Sequence, residues 1–154
     1  MSTLKEGDKA PDFTAKDQNG NTVSLADHKG KNIILYFYPK DDTPGCTAES
    51  CDFRDNYQSL LSKGYDVIGV STDDEKSHKK FETKYNLPFT LISDTEKAIV
   101  EAYGVWVEKN MYGKQYMGTA RTTFIINGDG IITHLISKVD TKNSSQRVLD
   151  LVKE

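Results

Sequence analysis

Hydrophobic and polar positions along the chain fall into two alternating patterns. The run Lys31-Asn32-Ile33-Ile34-Leu35-Tyr36-Phe37-Tyr38-Pro39 is apolar at successive positions and rich in β-branched and aromatic residues, as a strand covered on both faces should be. "YDVIGVS" repeats the pattern after the first helical stretch, and "FTLIS" and "RTTFIIN" repeat it more briefly. Upstream, a strand over about Asp12 to Lys16, the turn Gln18-Asn19-Gly20-Asn21 and a strand over Thr22 to Leu25 predict a hairpin. The turn Asn127-Gly128-Asp129-Gly130 joins "TTFII" to "IITHLIS" as a second antiparallel pair. Between the strands, helices are predicted over Pro44 to Lys63 (closed by Gly64), Asp74 to Tyr85, Thr95 to Tyr103 and Ser144 to Lys153.

This order predicts an α/β protein with a central mixed β-sheet, helices on both faces and an N-terminal β-hairpin. A thioredoxin-like fold is the simplest architecture that carries it. No repeat, low-complexity tract or linker interrupts the 154 residues, so residues 1–154 are expected to form a single domain.

Charge and composition narrow the function. A formal net charge of -3 provides no basic field for nucleic acid or an anionic membrane surface. The apolar run Ile33 to Tyr38 is far shorter than the roughly 20 residues that span a bilayer. The opening "MSTLKEGDKAPDF" is polar and lacks the apolar core of a signal peptide, so a cytoplasmic location is expected. Two cysteines are too few for a disulfide scaffold. They are also too few for a structural zinc site, since His28, His78 and His134 are scattered and offer no second pair of ligands. Each histidine is expected to be solvated or satisfied locally.

Both cysteines lie in "YPKDDTPGCTAESC", after the central strand and at the start of a helix. Thr43 is placed as N-cap and Pro44 as the first helical residue, which makes Cys46 the third. That position often carries the anion of a capping box, and the unpaired amides and helix dipole favour a thiolate there. Cys46 is therefore the candidate nucleophile, with the Thr43 hydroxyl expected within hydrogen-bonding reach of its sulfur. Phe53, Tyr57, Leu60 and Leu61 mark the face that packs on the sheet; Cys46 and Ser50 share it, while Cys51 falls with Arg54 and Asp55 on the wetter side. Residues five apart in a helix lie about 8.6 Å apart at Cα. A disulfide needs roughly 4.4–6.8 Å, so any Cys46–Cys51 bond requires the helix to unwind.

The segment "YPKDDTPGCTAESCDFRD" closely resembles the active-site segment of the peroxiredoxins, in particular the peroxiredoxin Q or bacterioferritin comigratory protein group. "GDKAPDFTAKDQNGNTVSLAD" and "MYGKQYMGTARTTFIIN" look similar too, so the likeness covers essentially the whole chain. The resemblance implies a thiol peroxidase that uses no metal, haem or flavin. It implies that Cys46 is the peroxidatic cysteine, that Thr43 and the Cys46 amide hold the peroxide, that Pro39 shields the thiolate and that Arg121 is the active-site arginine. Glu49 matches an acidic or amide position that orients Arg121 or the helix start. Cys51 is implied as the resolving cysteine, forming an intramolecular disulfide that thioredoxin or a similar dithiol reductant reduces.

With both thiols in one chain, a monomer is expected. Two other readings remain open: a thiol-disulfide oxidoreductase, which would more commonly carry C-x-x-C, and a redox sensor that signals through the unwound helix. The stretch holding Tyr103, Trp106, Met111, Tyr112, Tyr116 and Met117 is read as a loop packed on the core, with a peroxide-pocket or reductant-facing role as the alternative.

Overall fold

The computed structural model describes residues 4–152, so the expected helix end at Lys153 lies outside the described residues. Strands β1 (Thr14–Asp17) and β2 (Thr22–Ser24) form the expected hairpin. Next come β3 (Asn32–Phe37), α1 (Pro44–Asp55), α2 (Tyr57–Ser62), β4 (Tyr65–Ser71), α3 (Glu75–Tyr85), β5 (Thr90–Ser93) and α4 (Ala98–Ala102). The chain continues through β6 (Trp106–Met111), β7 (Lys114–Thr119), β8 (Thr122–Ile126), β9 (Ile132–Ile136) and α5 (Ser144–Leu151). Seven strands build one sheet in the order β2-β1-β5-β4-β3-β8-β9. The inner strands β3, β4 and β5 run parallel, and the flanking pairs are antiparallel.

The two-sided burial expected of β3 follows from its pleat, which sends successive side chains to opposite faces. Ile33, Leu35 and Phe37 join one core with Ile68, Val70, Phe124, Ile126 and the α4 residues Ile99 and Val100. Ile34, Tyr36 and Tyr38 join the other with Phe53 and Leu60 beneath α1 and α2, Phe81 of α3 and Val148 of α5. Helices thus cover both faces, with α4 alone opposite the other four.

Three expectations are corrected. The long helix from Pro44 to Lys63 is broken at Asn56, whose side-chain amide donates to the Asp52 carbonyl at 2.9 Å and whose backbone leaves the helical region (φ -112°, ψ 8°). Such side-chain competition for a helix carbonyl is the usual reason Asn is poor inside helices. Beyond the break the packed face shifts, and Leu61 is exposed. The helix expected from Thr95 begins only at Ala98, because the Asp94 carboxylate accepts from the amides of Ile99 and Val100 and holds residues 95–97 in a turn.

The third correction concerns the stretch read as a loop, which is the β6–β7 hairpin. Its two-residue turn, Tyr112 (φ 54°) and Gly113 (φ 80°), has the double left-handed geometry that matches strand twist. Tyr103 is buried and Trp106 packs against the core, but Met111, Tyr112, Tyr116 and Met117 are exposed rather than packed.

Candidate active site around Cys46 and Arg121

The register of β3 and β8 brings the site together. Phe37 pairs with Thr122, so Arg121, one residue earlier, arrives at the same end of the sheet as the chain leaving β3. That chain passes through Tyr38 to Asp42, is capped by Thr43 in an extended conformation, and enters α1 with Pro44 in its first turn. The first helical hydrogen bond runs from the Thr47 amide to the Thr43 carbonyl (2.8 Å), so the Gly45 and Cys46 amides precede the intrahelical ladder. Cys46 is 1% exposed on the inward face, whereas Cys51 is half-buried on the other side; both are free thiols. The intact helix therefore keeps them apart, as the spacing required.

Arg121 reaches Cys46 and Glu49 together. Its Nη2 donates to Cys46 Sγ at 3.3 Å, and its Nη1 donates to Glu49 Oε1 at 3.1 Å. Gly45 makes room for the guanidinium, since a Cβ there would stand 3.1 Å from Nη2. Glu49 lies one turn after Cys46, fully buried, and its Oε2 accepts from Ser144 Oγ of α5 at 3.1 Å. A second carboxylate of α1, Asp52, accepts from the Ser145 amide at 2.7 Å. The start of α5 thus closes over α1 through two acids.

Burial pushes the Glu49 carboxyl up to about 7, against the opposing pull of Arg121 and Ser144. Burial also opposes the charge on Arg121, but the Cys46 sulfur and Glu49 outweigh it and hold the guanidinium protonated. The Cys51 thiol is pushed up by burial, with Arg54 acting against this. Lys109 of β6 is a further cation here, lowered first by burial and then by the charge of Arg121, with the Cys46 sulfur opposing.

The raised Glu49 value has a definite sign. An acid held near 7 in the folded helix and at 4.5 when released binds its proton more tightly in the folded form. The preference for closed α1 is full below about 4.5 and lost as pH rises to about 7, an effect of roughly 3 kcal/mol at about 1.4 kcal/mol per pH unit. Asp52 is shifted in the same direction by burial. Amide hydrogen-exchange protection in α1, corrected for intrinsic rates, is expected to fall between pH 5 and pH 8. In Glu49→Gln, which keeps an acceptor for Arg121 but cannot ionise, most of that fall should disappear; an equal fall in both proteins would exclude Glu49 as its source.

Among the sequence-predicted residues, Cys46, Glu49 and Arg121 meet directly. Thr43 occupies the N-cap position, but its side chain makes no capping bond to the helix: its Oγ1 donates to the Lys40 carbonyl at 2.9 Å, not to the sulfur as expected. Pro39 lies half-buried at the exit of β3. Sequence reasoning missed Ser144, Ser145 and Lys109. The two serines come from the far end of the chain with no local signal, whereas Lys109 could have been placed by reading "WVEKNMYGKQYMGT" as a hairpin around Tyr112-Gly113.

Among the described residues, one trio of possible metal ligands exists, Asp41, Asp73 and His78. Their polar atoms are engaged with one another and with Tyr38, Ser71 and Ser77. Also among the described residues, no helix is long and apolar enough to cross a membrane.

Residues 6–135 match the AhpC/TSA family. The chain is 47% identical over 152 residues to peroxiredoxin Bcp of Bacillus subtilis, covering 99% of this chain and 97% of the relative. In three dimensions it resembles the Xanthomonas campestris bacterioferritin comigratory protein, studied for its alkyl peroxide reduction activity (TM-score 0.88, 35% identity, 99% and 98% of the two chains). It also resembles a cysteine mutant of PrxQ from Xylella fastidiosa (TM-score 0.93, 30% identity, 99% and 98%). Sequence likeness along almost the whole length and a shared thioredoxin-like peroxiredoxin fold lead to one conclusion: the chain belongs to the AhpC/TSA family, in its Bcp/peroxiredoxin Q group.

Proposed function

We propose that this thiol peroxidase works through Cys46 as the attacking sulfur and Cys51 as the thiol that resolves the product. The observation that carries this reading is the 3.3 Å contact between Arg121 Nη2 and Cys46 Sγ at the start of the helix that also holds Cys51. A fixed cation beside the sulfur favours thiolate and stabilises charge as it moves onto the departing peroxide oxygen. The Thr43 hydroxyl, already donating to Lys40, keeps its oxygen free to accept a hydrogen bond from the peroxide O–H. Pro39 walls the loop side, and Glu49 sets the orientation of Arg121.

In the first step the Cys46 thiolate attacks one oxygen of ROOH; the O–O bond breaks, Cys46 becomes a sulfenic acid and RO⁻ takes up a proton to leave as alcohol or water. In the second, α1 opens and the Cys51 sulfur displaces the sulfenic hydroxyl as water, forming the disulfide before further oxidation. A dithiol protein of the thioredoxin type then reduces the disulfide by exchange, becoming oxidised itself.

Hydrogen peroxide and organic hydroperoxides are the proposed substrates. The single-domain, monomeric reading rests on the sheet drawing strands from Thr14 to Ile136 and on both thiols lying in one helix. The cytoplasmic reading rests on the need for a reducing compartment. The deciding assay couples the purified protein to thioredoxin, thioredoxin reductase and NADPH. Peroxide-dependent NADPH consumption is expected; its absence with both hydrogen peroxide and an alkyl hydroperoxide would overturn the reading.

A further inference from the structure

Beneath the loop that delivers Cys46 lies a buried histidine–carboxyl pair that makes no contact with the sulfur. His78 of α3 is fully buried. Its Nε2 stands 2.9 Å from the Ile92 carbonyl, which can only accept, so Nε2 carries a proton. Its Nδ1 stands 2.7 Å from Asp41 Oδ2. The same carboxylate accepts from the Tyr38 hydroxyl at 2.6 Å and from Ser77 Oγ at 2.8 Å. The short Nδ1–Oδ2 contact therefore closes a buried hydrogen-bonded pair between the ring and a carboxyl group that two hydroxyls already hold. Burial pulls the ring toward its neutral form, and the hydrogen bond and charge of Asp41 outweigh that pull and raise its affinity for a proton.

The pair is one end of a larger attachment. The Asp41 amide donates to Asp73 Oδ2 at 2.8 Å. Asp42, in the left-handed region, accepts from Lys84 Nζ and the Tyr85 hydroxyl at 2.8 Å each. Helix α3 therefore grips the chain just before Thr43. It also grips the far end of α1, where Arg54 Nη1 donates to the Tyr85 carbonyl at 2.8 Å. Between the two grips lie both cysteines. Helix rises about 1.5 Å per residue and extended chain about 3.3 Å. Unwinding the segment between fixed ends therefore creates the slack that Cys51 needs, without moving the loop before Cys46.

We infer that His78 and Asp41 are positioning residues for the peroxide step: they splint the 38–45 loop onto α3, so that Thr43 and Cys46 keep their places while the helix beyond Cys46 opens for Cys51. The inference rests on the proposed order of the two cysteines. Burying so polar a pair costs desolvation that an apolar pair would not, which makes mere packing a poor account of it.

Two measurements test the splint. In single-turnover experiments, His78→Gln, which can satisfy Asp41 or Ile92 but not both, is expected to slow Cys46 oxidation by about 10- to 100-fold. Conversion of sulfenic acid to disulfide should be unaffected. Equal slowing of both steps, or an unchanged peroxide step, would overturn the splint. The second measurement uses the native sequence and so does not depend on the variant folding. On oxidation to the disulfide, the Asp41 amide should stay protected from exchange and the His78 ring nitrogens should keep the chemical shifts they have in the reduced protein, while amides of residues 47–53 lose protection. Loss of Asp41 protection along with the helix would refute the splint. If no disulfide forms while Cys46 still reaches the sulfenic state, the cysteine assignment fails instead.

Discussion

Cys46→Ser is expected to abolish peroxide turnover while leaving the fold intact, and Cys51→Ser to leave one complete oxidation per chain. The asymmetry follows from where the thiols sit. Cys46 is 1% exposed against a guanidinium and the helix start, so serine fits its space but offers a hydroxyl far too weakly acidic to act as the anion. Cys51 is half-buried on the opposite side of α1, away from Arg121, and burial holds its thiol up, away from the thiolate form, so the proposed order gives it no part in the attack. Without Cys51 the sulfenic acid on Cys46 has no intramolecular partner and should persist, then climb to sulfinic acid as peroxide is raised. Intact mass after one equivalent of peroxide should show no added oxygen in Cys46→Ser and one in Cys51→Ser. Equal loss of activity in the two variants, with no sulfenic acid trapped in either, would point to a thiol-disulfide exchange enzyme, which an insulin-reduction assay would then reveal.

What could be read from the sequence divides along physical lines. Strands β3, β4 and β8 were visible because both their faces are buried, which writes a continuous apolar run into the chain. The β6–β7 hairpin was not, because most of its positions meet solvent and its turn uses Tyr112-Gly113 in place of a familiar Asn-Gly. The break at Asn56 depends on one side-chain hydrogen bond that propensity does not foresee. At the site, the elements Thr43-Pro44-Gly45-Cys46 are contiguous and therefore legible. What completes them is long-range: Ser144 lies 95 residues from Glu49, and His78 lies 37 residues from Asp41. His78 was expected to be solvated or satisfied locally, and it is satisfied, but by partners that only the packing of α3 on the loop brings together.

Arg121 carries the second large effect. Arg121→Met is expected to lower the rate of Cys46 oxidation by about 10²–10³, the usual loss when one oriented donor is removed from developing negative charge. Two interactions disappear at once: the Nη2 contact to the sulfur and the Nη1 contact to Glu49. The second loss matters because Arg121 is the main force opposing burial at Glu49, so without it the carboxyl rises further above its present value near 7. A neutral Glu49 is then the expected state at physiological pH, and the fold should survive the substitution for that reason. Arg121→Lys separates charge from geometry. A lysine ammonium supplies a cation but not the rigid fork that spans Cys46 and Glu49, so it should recover only part of the rate. Rates measured under single turnover for both variants, with and without Glu49→Gln, decide the matter. Full recovery by lysine would mean that net charge alone activates the sulfur, and an unaffected methionine variant would remove Arg121 from the chemistry.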